Sequence, residues 1–592
     1  MAESAIANTV LPEWDLSDLY PGPESPQLRD ALAELERQAT GFEASFQGKV
    51  GALTGDQLGQ AVRVFEQIEE LAGRIGSYAG LYYVTRLDNA ETARFSQGIQ
   101  ERLTDISAHL LFFTLEINRI EDATFDALMA SPVLNHYRPW LDEVRLFREH
   151  QLSDEAEHLL HDKSVSGRSA WARLFDETIA GLRFQVDGES LTEEQVLGLL
   201  SDKDAGLRRK AAEALTEVFG KNIRLFALVM NTLVKDKEVE DRWRKYATPA
   251  ASRHLANQVE PEVVDALVSA ARDAYPRLSH RYYALKARWM GVERLNFWDR
   301  NAPLPEHDDA HIPWEQATST VIEAYRAFSP KLADVAHPFF ANNWIDAPVK
   351  PGKQGGAFAH PTVPSAHPYL LLNYQGKTRD VTTLAHELGH GVHQVLAGPR
   401  GALMAGTPLT LAETASVFGE MLTFQALLAQ TTDPVRRKVM LASKVEDMIN
   451  TVVRQTAFHT FEEKVHAERR TGELTPQRLG EIWMGVQADS LGPAIELTDA
   501  YRDYWCYIPH FIHTPFYVYA YAFGDCLVNS LYAVYQQQPE GFEDKYLDML
   551  RAGGTKRHKE LLAPFGLDAS DPAFWQKGLS MISAMIDELE SL

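Results

Sequence analysis

The sequence predicts a mainly α-helical protein with a small β-sheet beside a histidine-bearing helix. Three observations predict it. From about residue 25 to residue 340, apolar residues recur at spacings of three and four between charged ones, the period of a helix packed on one face. Pro and Gly are scarce inside these segments. Between residues 342 and 380, Pro348, Pro351, Gly352, Gly355, Gly356, Pro361, Pro364 and Pro368 mark a loop-rich stretch, and within it lies one short apolar run, Tyr369 to Tyr374.

Segments 27–46, 56–87, 92–120 and 193–219 carry the clearest helical periodicity. The run from Tyr369 suits a strand, either a core strand of a small sheet or an edge strand. As an edge, Tyr369, Leu370, Leu371 and Leu372 would take an extended peptide substrate as one more strand. Gly355 and Gly356 read as a mobile flap. No Lys-Ser/Thr follows at the spacing of a phosphate loop.

The next helix carries the most informative residues. His386-Glu387-Leu388-Gly389-His390 spells H-E-x-x-H within 382–396, which is free of Pro, has candidate caps at Asp380 and Thr382, and ends before Gly398-Pro399. Residues four apart lie on one helical face, ~6 Å along the axis. Both imidazoles can therefore reach one ion at the ~2.0–2.1 Å of a zinc–nitrogen bond. Glu387 is rotated ~100° from His386 and sits beside the ion, where it can take a proton from water. A buried-looking helix has little reason to carry His386, Glu387, His390 and His393 unless something pairs with them.

A catalytic zinc site keeps three protein ligands. The metzincin pattern would need Gly at 393 and His at 396; the chain has His393 and Leu396. A carboxylate from a following helix is the other solution, and 410–420 reads as that helix, with apolar positions 411, 415, 418, 421 and 422. Glu413 and Glu420 are seven apart and share a face, so either can ligate. Glu413, nearer the start of the helix, is the favoured ligand, with Glu420 supporting a ligating histidine from behind, as His393 can.

The segment from Tyr501 to Tyr521 is crowded with aromatics. Such a cluster suits a core. Tyr517 and Tyr521, four apart on one helical face with His510 just before, also offer the donors that a tetrahedral oxyanion needs.

His386 to His393, followed by Glu413-Thr414-Ala415-Ser416, resembles the thimet-oligopeptidase-like zinc metallopeptidases. Trp14 to Tyr20, Pro509-His510, Phe516 to Tyr521, Phe565 to Asp568 and Pro572 to Trp575 resemble their oligoendopeptidase F branch, so the resemblance spans nearly the whole chain. It implies one zinc per chain on His386, His390 and Glu413, with Glu387 as general base. It carries substrate and transition-state binding onto His510 and Tyr517, and less firmly onto Tyr521. It implies an elongated helical body enclosing a substrate channel, an N-terminal region over 1–200 and a catalytic region over 201–592. The expected activity is hydrolysis of internal bonds in short unfolded peptides. A dipeptidyl carboxypeptidase, or a peptide-binding helical cage without catalysis, are the competing readings.

A formal charge of −24 argues against nucleic-acid binding, which needs clustered positive charge. Cys506 and Cys526 are too few for a secreted disulfide framework and read as buried thiols. The first basic residue is Arg29, so there is no basic leader, and no run of 18 apolar residues occurs. The expected setting is cytoplasmic, without membrane partners.

Overall fold

Ser25 opens the first long helix, Pro26–Phe46. Its backbone is extended, its hydroxyl accepts the Leu28 N–H, and Pro26 occupies the first turn, where its missing N–H is no loss. Leu28, Leu32, Leu35, Ala39 and Phe42 then bury one face of it. Thr54 starts the next helix, Gly55–Val84, through a reciprocal cap with Gln57. Phe42, Phe65, Phe113 and Trp140 join these helices to later ones, with ring centroids 5.0 to 6.0 Å apart. The computed structural model describes residues 11–164, 166–306 and 311–592.

The chain divides into two compact units, each assembled from three stretches. One contains Met1–Arg148, Asp309–Gln430 and Tyr535–Gly566; the other contains Glu149–Asp308, Thr431–Val534 and Leu567–Leu592. Helices dominate both, as periodicity predicts. Two expected helices are broken. The 92–120 segment forms Ala90–Ala108 and Leu111–Arg119, parted at His109, whose Nδ1 is 2.7 Å from Glu43. The 193–219 segment forms a short helix, Glu193–Gly198, then a 39-residue helix, Ala205–Trp243, whose new start is capped by the Asp204 carboxylate. Among the described residues no helix is long and apolar enough to cross a membrane. Cys506 and Cys526 are free and buried.

In the first unit a three-stranded sheet leads into the motif helix. Tyr369–Leu371 is its central strand, parallel to Ile345–Asp346 and antiparallel to Phe358–His360. The glycine-containing loop between the outer strands is anchored on either side of Gly355. The Lys353 ammonium, fully buried, donates to the Asp346 carboxylate at 2.6 Å and to the carbonyls of Pro348 and Leu372. Gln354 N–H donates to Val84 O, and the Asn373 amide donates to the carbonyls of Gln354 and Gly356.

The motif helix runs Thr378–Ala397 and packs against Leu409–Gln430. Gly389 sets how closely they cross: a Cβ there would lie 2.6 Å from Ser416 Cα and 2.7 Å from the Ala415 carbonyl carbon. The partner is backbone and cannot swing aside. Gly389→Ala is therefore expected to cost ~1–3 kcal/mol through overpacking. Thermal denaturation should show a lower Tm than wild type; an unchanged Tm would mean that the helices separate freely.

Candidate metal centre

The motif helix starts earlier than the expected Asp380 and Thr382 caps. Lys377 is the cap residue, and Asp380 lies inside the first turn, where its carboxylate accepts the N–H groups of Gln375 and Lys377. Two tyrosines pin the helix pair from outside. Tyr325 donates to Ala385 O at 2.6 Å, and Tyr546 donates to Thr414 O at 2.8 Å. Both rings are buried, so each hydroxyl needs such an acceptor.

The pair brings His386, His390 and Glu413 together. Their ligand atoms lie within 4.8 Å of one another, the one such group among the described residues. Glu413 Oε2 is 3.3 Å from His386 Nε2 and 3.4 Å from His390 Nε2. Around a tetrahedral ion with bonds of ~2.0–2.1 Å, ligand atoms stand ~3.3–3.4 Å apart, so the separations fit zinc. The Ser416 hydroxyl donates to that same Oε2, 2.6 Å away, and orients the carboxylate. Glu420 does not join the three. Its Oε2 lies 3.0 Å from Nδ1 of His386, behind the ring.

The electrostatics suit a cation. Burial disfavours a charged His386, but its hydrogen bonds to Glu413 and Glu420 outweigh this and push its pKa up to about 10. Burial also opposes ionisation of Glu413, yet the two histidines hold its carboxyl well below the usual range. Glu387, 7% exposed, is pushed up by burial, with His386 and His390 pulling it back. His393 is buried and outside the group. Its Nε2 is 3.3 Å from the Thr407 hydroxyl, and burial takes its pKa down to about 4. It fastens the motif helix to the connection that leads into the second helix.

The expected substrate edge at Tyr369 to Leu372 is corrected by the sheet. The strand is central, Tyr369, Leu370 and Leu371 are buried, and both flanks are taken. Leu370 and Leu372 N–H groups donate toward the Ile345 strand, to Trp344 O and Asp346 O. Tyr369 and Leu371 therefore face the Phe358 strand, paired with His360 and Phe358. Ala359 is left turning its N–H and C=O outward from the free edge of that strand. Periodicity missed this strand because it is three residues long inside a Pro- and Gly-rich stretch.

In the second unit His510, Tyr517 and Tyr521 form one cluster. His510 Nε2 lies 3.2 Å from the Tyr521 hydroxyl, and the Tyr517 and Tyr521 rings are 5.2 Å apart. Tyr517 does not share a helical face with Tyr521, as expected from spacing. The helix begins at Tyr519, and Tyr517 sits in the turn before it, after Phe516 at φ 60°. Tyr519 is core: fully buried, its hydroxyl lies 3.1 Å from His254 Nδ1 and accepts the Asn257 amide.

A family model described as peptidase family M3 matches residues 198–581, and one described as oligopeptidase F matches residues 116–184. The chain belongs to peptidase family M3. Within and around that family, the chain is similar to oligopeptidase PepF of Bacillus subtilis, 26% identical over 98% of this chain and 87% of that protein. It is similar to an oligoendopeptidase F homologue of Borreliella burgdorferi, 22% identical over 98% of each. Its fold matches the oligoendopeptidase F structure from Enterococcus faecium with a TM-score of 0.73 at 23% identity, covering 95% of this chain and 98% of that one.

Proposed function

We propose that this M3 peptidase is a zinc-dependent endopeptidase of the cytoplasm that hydrolyses internal bonds of short, unfolded oligopeptides. The observation that carries the zinc reading is the single Glu413 oxygen 3.3 and 3.4 Å from two histidine nitrogens one helical turn apart. Relatives named oligopeptidase and oligoendopeptidase F support the substrate class. The M3 match beginning at residue 198 supports reading 201–592 as the catalytic region and 1–200 as the N-terminal helical region.

His386, His390 and Glu413 would hold the ion, with Glu420 fixing the tautomer of His386 through Nδ1. The ion, when bound, supplies Lewis acidity that acidifies water and polarises the scissile carbonyl. Glu387 accepts the proton of the attacking water and passes it to the departing amine nitrogen; burial raises its pKa, which strengthens it as the acceptor. Tyr517 and Tyr521 hydroxyls, with His510, are the proposed donors to the oxyanion. Ala359, on the open strand edge, is the proposed backbone partner of an extended substrate.

An endopeptidase reading and a dipeptidyl carboxypeptidase reading differ in what they need at the substrate C-terminus. Peptides acetylated at one end and amidated at the other should be cleaved at internal bonds. Failure to cut them, with release of dipeptides from free-ended versions, would favour the carboxypeptidase.

A further inference from the structure

Tyr517 owes its place to a residue ahead of it rather than to the helix that follows. Phe516 has φ 60°, the left-handed region, which is costly for a bulky side chain and persists only where surroundings over-determine it. Its surroundings do. Its N–H donates to the Glu462 carboxylate oxygen Oε1 at 2.7 Å. Its ring, 1% exposed, packs between His459 and His466, at centroid distances of 5.8 and 4.7 Å. All three partners come from one helix, Pro434–Arg469. Two arginines hold the flanks. Arg168 donates to Ile512 O at 3.0 Å and His513 O at 2.8 Å, and Arg253 donates to Pro515 O while its guanidinium lies 5.8 Å from the Tyr517 ring.

Glu462 is an expensive residue to place there. It is 3% exposed, and its Oε2 has no hydrogen-bond partner among the described residues. A buried carboxyl with one oxygen unsatisfied costs stability, and an apolar side chain of that size would cost less. Burial pushes its pKa up to about 8 against the pull of the Phe516 N–H and of Arg253, and a glutamine of the same length keeps the acceptor oxygen. A packing role does not call for such a group; an acceptor aimed at one N–H does.

We propose that Glu462 is a positioning residue for the reaction: by accepting the Phe516 N–H it locks the left-handed turn that aims the Tyr517 hydroxyl. Glu462 touches no reacting atom and acts through Tyr517. The inference rests on the reading of Tyr517 as an oxyanion donor, and the test separates the two.

The experiment measures kcat, KM and Tm for Glu462→Gln, Glu462→Met, Tyr517→Phe and the double variant Glu462→Met/Tyr517→Phe on one quenched fluorescent peptide. Tyr517→Phe should lose ~10²–10³ in kcat with KM little changed. Glu462→Met should lose about a tenth to all of that factor, again in kcat. Glu462→Gln, which keeps an acceptor oxygen, should return to within about threefold of wild type. The double variant should be no slower than Tyr517→Phe alone, because residues that act as one unit are not additive. If Glu462→Met does not fold, Glu462→Asp, whose shorter side chain withdraws the acceptor from the Phe516 N–H, takes its place in the same cycle, with the same expected non-additivity. A crippled Tyr517→Phe beside a wild-type-like Glu462→Met, or losses that multiply in the double variant, would overturn the positioning role alone. A wild-type-like Tyr517→Phe would overturn the donor reading and the inference with it.

Discussion

Glu387→Gln is expected to keep its metal and its fold and to lose ~10²–10⁴ in kcat, the usual contribution of general-base catalysis. The amide matches the carboxylate in size, so the buried site beside His386 and His390 is not opened. What disappears is the ability to accept a proton. Burial raises the Glu387 pKa while His386 and His390 pull it back. Turnover on an internally quenched peptide, with metal content measured on the same sample, checks this. A variant that retains more than about a tenth of wild-type kcat with full metal would remove Glu387 from the role.

Loss of the Glu413 carboxylate should be felt first in metal affinity. Glu413→Ala takes away the one oxygen shared by both histidines and leaves the Ser416 hydroxyl only the Glu413 backbone carbonyl as acceptor. Glu420 cannot substitute from its present place, since it is bonded to Nδ1 on the far side of the His386 ring. Competition with a zinc-chelating dye should therefore rank the variants. Glu420→Ala should weaken binding ~10–100-fold, the effect of losing an outer partner, and Glu413→Ala should weaken it more. The reverse ranking would move the third ligand to Glu420.

The helices were largely legible because each buries a periodic face; the motif helix was legible down to its side-chain chemistry, since a spacing of four dictates a shared face whatever the tertiary context. The sheet was not. Its central strand has an apolar run to announce it, but its partners are two and three residues long, and pairing order is a tertiary property. The same limit applied to Tyr517. A spacing of four suggested one helical face with Tyr521, whereas Pro515 marks a turn that the left-handed Phe516 completes before the helix starts. The two rings meet all the same. Glu462 gave no signal, because beside Glu463 on a charged helix it reads as solvated surface until the chain, some fifty residues on, buries it.

The most direct measurement is digestion of a defined peptide mixture, before and after dialysis against a chelator and again after adding back one equivalent of zinc, with products identified by mass spectrometry. The account predicts internal cleavage of short peptides, abolished by the chelator and restored by zinc at one ion per chain. Undiminished cleavage in protein shown by metal analysis to be stripped, or zinc restored at His386, His390 and Glu413 with no cleavage of any peptide, would contradict it.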